Sequence, residues 1–331
     1  MSAAARARTW AGRFPWEEGA FWLLLAVGFW LWPKHLALAS QVLIAGLFAL
    51  SYDLILGYAG ILSLGHAAYF GLGAYAAGLL AAHGWGEPLS GLLAAGCCAG
   101  LAGFLTSFLV VRGQDLTRLM VTTAIGLLLF ELANRLSNIT GGVDGLSGVE
   151  MAPLLGAFRF DIYGRTAYGY CLIVTFVLFL GVRRMVHSPF GWSLRGMRDN
   201  PSRMLALGYP VQRRLIALYT VSAAIAGVAG ALLAQTTQFV SIDVFSFNRS
   251  ADVMVMLIVG GAGVLYGGLV GAAVFTLAYH FLSALNPVYW QFWLGAFLIA
   301  IVLFGRGGVL GACERLSRHL RERGRAPAAQ R

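Results

Sequence analysis

Apolar runs of up to about two dozen residues recur along the chain, separated by short polar intervals. They fall near residues 20–32, 35–56, 60–82, 89–111, 116–134, 163–186, 214–240, 251–265, 265–285 and 288–305. A helix needs about 20 apolar residues to cross a hydrocarbon core of ~30 Å. The first and eighth runs are short, and the others approach or exceed that length. The pattern predicts an all-α polytopic membrane protein with about 10 transmembrane segments (8–10). Composition agrees. Of the 331 residues, 59% are hydrophobic and 11% charged, against about 25% charged in soluble proteins.

Charge orients the spans. Residues 183–214 carry Arg183, Arg184, Arg195, Arg198, Arg203, Arg213 and Arg214 against the single acid Asp199. After Phe304 come Arg306, Arg315, Arg318, Arg321, Arg323, Arg325 and Arg331, against Glu314 and Glu322. Basic flanks stay in the cytoplasm. Four runs lie between the two clusters, so both can be cytoplasmic, and counting back places the N-terminus there too. The expected layout is a cytoplasmic N-terminal segment at 1–19, a transmembrane domain at 20–305 and a basic cytoplasmic tail at 306–331. Within the domain, 135–162 is an external loop and 187–213 a cytoplasmic one. The N-terminal region, with Arg6, Arg8 and Arg13, lacks a small-residue cleavage site after its first apolar run and reads as retained. The net charge of +10 belongs to this topology, so no nucleic-acid partner is expected. Trp10, Trp16, Trp22, Trp30, Trp32, Trp290 and Trp293 read as interfacial anchors. Glu131 and Arg135 are spaced to pair one turn apart, and His280 reads as a packed core histidine.

Cys97, Cys98, Cys171 and Cys313 show no disulfide framework and read as small packing residues. No His/Cys cluster has metal-ligand spacing. Neither a carboxylate pair nor a nucleophile–base arrangement shares a polar segment, so an enzyme is not expected. No phosphate loop G-x-x-x-x-G-K-[ST] occurs.

One run departs from an ordinary span. Residues 52–80 carry Gly57, Gly60, Gly65, Gly71, Gly73 and Gly78, with Ser63 and His66 among them. Glycine and alanine let membrane helices approach closely. The alternative is a broken helix on a water-accessible route, where irregular backbone is satisfied by protein or by the cavity. His66, ionisable within a span, favours the route. So does an echo, because "LILGYAGILSLG" at 54–65 matches "LIVGGAGVLYGG" at 257–268 in the same direction. Glycine-interrupted segments in two halves point to a substrate route. Candidate route residues are Gly57, Gly60, Ser63, Gly65, His66, Gly260, Gly261 and Gly263. His66 would either hydrogen-bond a zwitterionic substrate or join helices.

Residues 187–214, "HSPFGWSLRGMRDNPSRMLALGYPVQRR", are too polar to cross. A short helix over 192–199 and another starting at Pro201 are expected, since proline suits a first helical turn. The segment reads either as a topology anchor at anionic lipid or as a docking element for a cytoplasmic motor.

Four stretches carry a family likeness: "LGYAGILSLGHAAYFGLGAYAA", "NITGGVDGLSGV", "SPFGWSLRGMRDNPSRMLALGY" and "VMLIVGGAGVLYGGLVGA". Together they resemble the permease subunits of bacterial branched-chain amino-acid ABC importers, nearer the LivM-like than the LivH-like subunit, over residues 40 to 311. The resemblance implies a multi-pass inner-membrane protein that pairs with a homologous second permease and two cytoplasmic ABC ATPases. A periplasmic binding protein would deliver the substrate. ATP and Mg would bind those partners, leaving this chain without a cofactor. It also implies an ATPase-coupling loop containing Phe190, Gly191, Leu194, Arg195, Arg198, Asp199, Asn200, Pro201 and Gly208. The external loop signature is Thr140, Gly141, Gly142, Asp144 and Gly145. Gly268 stands where the family often has proline, as does a glycine in "FGRGGVLG". Urea and aromatic-acid transporters belong to the same family, so a sister-branch substrate stays open. A secondary transporter or channel is the rival class.

Overall fold

The structure, a computed structural model, describes residues 16–31, 35–113, 115–154 and 164–304, with the isolated positions 156, 158, 161, 308 and 311. Arg6, Arg8, Trp10, Arg13, Trp32, Arg306, Cys313 and the basic tail fall outside the described residues. Apart from two isolated bridges, the regular elements described are helices. Ten follow the ten apolar runs: α1 (Trp16–Leu31), α2 (Leu36–Asp53), α3 (Ala67–Ala82), α4 (Pro88–Arg112), α5 (Asp115–Arg135), α6 (Arg165–Val186), then, after the polar loop, α9 (Val211–Thr237), α10 (Phe247–Gly260), α11 (Gly267–Leu285) and α12 (Trp290–Phe304). The polar loop itself folds as α7 (Pro189–Asp199) and α8 (Pro201–Ala206).

Local chemistry sets several of these boundaries. Pro88, Pro189 and Pro201 stand in first turns, where a missing N–H costs no helical bond. The Asn200 side chain accepts from the Arg203 N–H at 2.9 Å and so starts α8. Among the described residues, six helices are long and apolar enough to cross a membrane: α2 extended to Tyr58, α4, α5, α6, α9 and α11. α1, α3 and α12 carry shorter apolar stretches.

The centre of the bundle is α9, packed against α2, α3 and α4. Small residues make that contact. A Cβ on Gly230 would stand 1.9 Å from the Phe70 carbonyl oxygen, one on Gly73 2.0 Å from the Gly227 oxygen, and one on Gly103 2.3 Å from the Ala223 Cβ. Backbone approach of this kind is how helices pack in lipid. By contrast, α5 turns Leu116, Met120, Leu127 and Leu128 outward.

Three expectations are corrected. The run at 60–82 becomes helical only at Ala67; α2 instead continues through a π-helical turn, Leu54–Tyr58, into irregular backbone at 59–66. Trp22 is no interfacial anchor, because it is buried with its ring edge-on to Phe176 and Phe179. His280 is exposed rather than packed in the core, since it falls on the outward side of α11. Trp30 and Trp293 are exposed, as an anchor requires, and Arg135 meets Glu131 at 2.9 Å.

Candidate functional site

The irregular segment 59–66 finds partners for its backbone in its surroundings. Gly60 N–H donates to the Leu56 carbonyl at 3.1 Å and Ile61 N–H to that of Ile55 at 2.8 Å. Leu64 N–H donates to Thr122 Oγ1 of α5 at 3.3 Å, and Ala67 N–H to Ser250 Oγ of α10 at 3.0 Å. The Ser63 carbonyl accepts from the Tyr52 hydroxyl at 2.8 Å. Irregular backbone among apolar helices is stable under this condition. The preceding helix α2 and two helices distant in sequence, α5 and α10, therefore hold the segment.

Ser63 and His66 are buried. His66 Nε2 lies 3.0 Å from Ser51 Oγ, and its ring stacks on Phe48 with 5.6 Å between centroids. The imidazole thus joins the segment to α2. Gly65 turns its backbone to α5, where a Cβ would stand 1.8 Å from the Thr122 carbonyl oxygen.

Beside Gly65 opens a cavity of about 140 Å³. Leu64 and Gly65 form one wall, Thr123, Gly126, Leu127 and Phe130 of α5 a second, and Phe245, Ser246, Phe247 and Ser250 the third. Its lining is mainly apolar, with hydroxyls from Thr123, Ser246 and Ser250. Such a space fits a small aliphatic group with polar contacts at its margin.

The second glycine-rich stretch meets the first. Asp53, the last residue of α2, is fully buried, and its Oδ1 accepts from the Gly263 N–H at 2.7 Å. A Cβ on Gly57 would stand 1.9 Å from that oxygen and 2.5 Å from the Gly263 nitrogen. Gly260 and Gly261 lie where α10 turns back into α11, and a Cβ on Gly260 would stand 1.8 Å from the Gly267 carbonyl oxygen. Gly268 lies against the α2 backbone, its Cβ position 2.9 Å from the Leu50 nitrogen. Glycine there lets α2 and α11 touch.

The polar loop reaches the same place. Leu194 and Met197 of α7 are buried, and Gly191 lies against the Val186 carbonyl. Arg195 is placed over the Tyr58 ring at 5.3 Å, and Arg198 donates to the Gly57 carbonyl through Nη1. Asp199, Asn200, Pro201 and Gly208 are exposed, Phe190 is partly so, and α8 has no buried residue.

Away from this region, Gly141, Gly142 and Gly145 adopt left-handed backbone, with φ of 77°, 58° and 76°. Thr140 Oγ1 caps the turn on the Ala133 carbonyl at 2.6 Å, and Asp144 is exposed. Leu146 and Val240 exchange backbone hydrogen bonds of 2.8 and 3.2 Å, which joins this loop to the 241–246 segment.

Residues 34–302 match the family described as "Branched-chain amino acid transport system / permease component". The chain belongs to this family. The match spans every element from α2 to α11 and most of α12. With its run of apolar helices, this permease-family chain is a multi-pass membrane protein. It is 27% identical over 321 residues to the high-affinity branched-chain amino acid transport system permease protein LivM of Escherichia coli (strain K12), covering 87% of this chain and 73% of that one. It is 23% identical over 287 residues to the LivH permease protein of the same system and strain, covering 81% of this chain and 91% of that one. A probable LivM permease of Methanocaldococcus jannaschii is 26% identical over 178 residues, half of each chain. No solved structure matches.

In this permease, several residues absent from the sequence-based site carry its geometry. Asp53 receives the Gly263 N–H, Thr122 and Ser250 hold the irregular segment, and Gly126 and Phe245 wall the cavity. Asp53 left one trace in the sequence: a carboxylate in an apolar run, four residues before Gly57. Among the described residues no group of three His, Cys, Asp or Glu side chains is placed to hold a metal ion.

Proposed function

We propose that this chain is the membrane-spanning subunit of an ATP-driven importer, and that it passes branched-chain amino acids towards the cytoplasm. The observation that carries the reading is the mainly apolar cavity beside Gly65, framed by the irregular segment, α5 and the start of α10. The family and the printed names of the LivM and LivH relatives support the substrate class. A route of this kind needs no tight site, because a binding protein in the periplasm selects the substrate and tight binding would slow release. Leu64, Gly65 and the hydroxyls of Thr123, Ser246 and Ser250 provide weak contacts suited to transit.

The accompanying topology has about ten spans with both termini in the cytoplasm. Glu18 meets Arg183 at 3.2 Å, which favours it: the start of α1 lies beside the end of α6, where the arginine-rich loop begins. The bilayer is the bacterial inner membrane. α7 and α8 form the coupling loop towards two cytoplasmic ATPases, which bind ATP and Mg, and the loop at 140–145 faces the binding protein. A second, homologous permease completes the membrane part. That both LivM and LivH relatives match this chain supports such a pairing.

The test is uptake of labelled leucine, urea and benzoate into proteoliposomes that contain the chain with its permease and ATPase partners. Loaded binding protein is supplied outside and ATP inside. Leucine uptake that requires both ATP and this chain is the expected result. Uptake of urea or benzoate instead would move the substrate assignment to a sister branch, and leucine uptake without the ATPases would overturn the importer reading.

A further inference from the structure

The two glycine-rich stretches share more than composition. In the alignment of 54–65 with 257–268, Gly60 corresponds to Gly263. Both adopt left-handed backbone, with φ of 70° and 82°, a region that side chains rarely tolerate. Both also face the same side chain. A Cβ on Gly60 would stand 3.1 Å from Arg198 Cγ, and one on Gly263 3.2 Å from Arg198 Nη1. Arg198 therefore lies in a slot whose two walls are corresponding glycines, and its guanidinium ends on the Gly57 carbonyl.

The slot has a fixed floor and a fixed occupant. Asp53 Oδ1 accepts from the Gly263 N–H, while its Oδ2 has no hydrogen-bond partner among the described residues. A buried carboxylate calls for a nearby cation, and Gly57 brings Arg198 near it: the Gly57 carbonyl takes the guanidinium, and the Gly57 Cβ position lies 1.9 Å from Asp53 Oδ1. Arg198 itself keeps contact with solvent, so the slot opens at the face where α7 lies. α7 is anchored by buried Leu194 and Met197, by Arg195 over Tyr58, and by Arg214 donating to Ser193 Oγ.

We propose that Arg198 ties α7 to both glycine-rich stretches, so that a displacement of α7 moves the two walls of the slot as one body. Arg198 is a positioning residue, and Asp53 is the counter-charge that keeps it seated. The proposal rests on the importer reading above, because it needs a motor that displaces α7. It also gives Gly57, Gly60 and Gly263 a part in coupling: their missing side chains make room for the tie. Gly65 and the cavity then belong to transit.

The experiment uses the complete complex in proteoliposomes, with Cys97, Cys98, Cys171 and Cys313 replaced by alanine. The readouts are leucine uptake, ATP hydrolysis and co-purification of the ATPases. Arg198→Ala is expected to keep the ATPases and their hydrolysis but to lower uptake per ATP at least tenfold, with Arg198→Lys restoring part of it. A Cβ on Gly60 would stand 3.8 Å from the Arg198 Cβ, close to the mean of about 3.8 Å in disulfides. The pair Gly60→Cys with Arg198→Cys should therefore be uncoupled when reduced and regain uptake when copper phenanthroline closes the bond. Comparing one protein before and after oxidation separates the missing tie from any folding defect. Normal uptake per ATP in Arg198→Ala, loss of the ATPases from that variant, or an oxidised pair that stays uncoupled each overturns the tie. A parent complex that imports nothing with ATP overturns the importer reading and takes the tie with it.

Discussion

Residues 54–65 and 257–268 share seven of their twelve residues, yet they fold differently. The first unwinds through a π-helical turn into eight irregular residues, and its backbone bonds run to α2, α5 and α10. The second closes a short turn between α10 and α11, where its glycines meet backbone: Gly260 the Gly267 carbonyl, and Gly268 the amide of Leu50. What the strings share is three places where a side chain has no room. Gly57 and Gly260 touch opposing backbone, Gly60 and Gly263 turn left-handed, and Gly65 and Gly268 press on a neighbouring helix. Similar sequence here records a common demand for close approach. Conformation follows from what each stretch finds to approach.

That contrast can be broken first where the stretches meet. Gly57→Val would drive a side chain into Asp53 and Gly263 together, neither of which can yield without the other. Overpacking of this kind costs about 3 kcal/mol, and we expect little monodisperse protein on size-exclusion chromatography in detergent. Gly260→Ala strikes the second stretch alone, through the Gly267 carbonyl. A loss of about 1–3 kcal/mol is expected, read as a lower melting temperature in a recoverable protein.

The first stretch can also be weakened from outside itself. Thr122→Val keeps the shape of the side chain but leaves the Leu64 N–H without its acceptor. An unmet buried donor costs about 1–3 kcal/mol, so the melting temperature should fall in a protein that, unlike Gly57→Val, stays monodisperse. Asp53→Asn keeps an oxygen for the Gly263 N–H and removes the charge. Its melting temperature should stay near the parent value while uptake per ATP drops several-fold. Glu131→Ala gives the baseline. Its partner Arg135 is exposed, and exposed pairs contribute at most about 1 kcal/mol, so melting and uptake should both be indistinguishable from the parent.

The ten helices were legible because apolar runs report solvent, and the second short helix of the polar loop because Pro201 marks a first turn. The first begins at Pro189, three residues before its expected start, because that proline also stands in a first turn. The unwinding at 59–66 was only half legible. Glycine density announced a break, but where it ends depends on Thr122 and Ser250, which stand 58 and 183 residues from the atoms they receive. Asp53 escaped the sequence-based site for the same reason, since its partner is 210 residues away. Trp22 and His280 show the limit of reading residue type by itself. The hydropathy of α1 and α11 did not say which side of each helix turns inward, and that side decides whether a tryptophan anchors or packs.

The bridge between Leu146 and Val240 has a consequence for how this chain can diverge. Before the bridge the loop has no slack, because a Cβ on Gly141 would strike the Gly145 carbonyl and one on Gly145 the Val240 carbonyl. Just beyond it, Ser147 and Gly148 are exposed, and Gly148 has nothing within 4 Å of its Cβ position. Insertions and deletions should accumulate at Ser147 and Gly148, before Val149 is buried and the Ala152 N–H donates to the Gly86 carbonyl at 2.9 Å, while the spacing from Thr140 to Leu146 stays constant. Among descendants of this gene, loop length would drift on one side of a single hydrogen-bonded pair and hold still on the other.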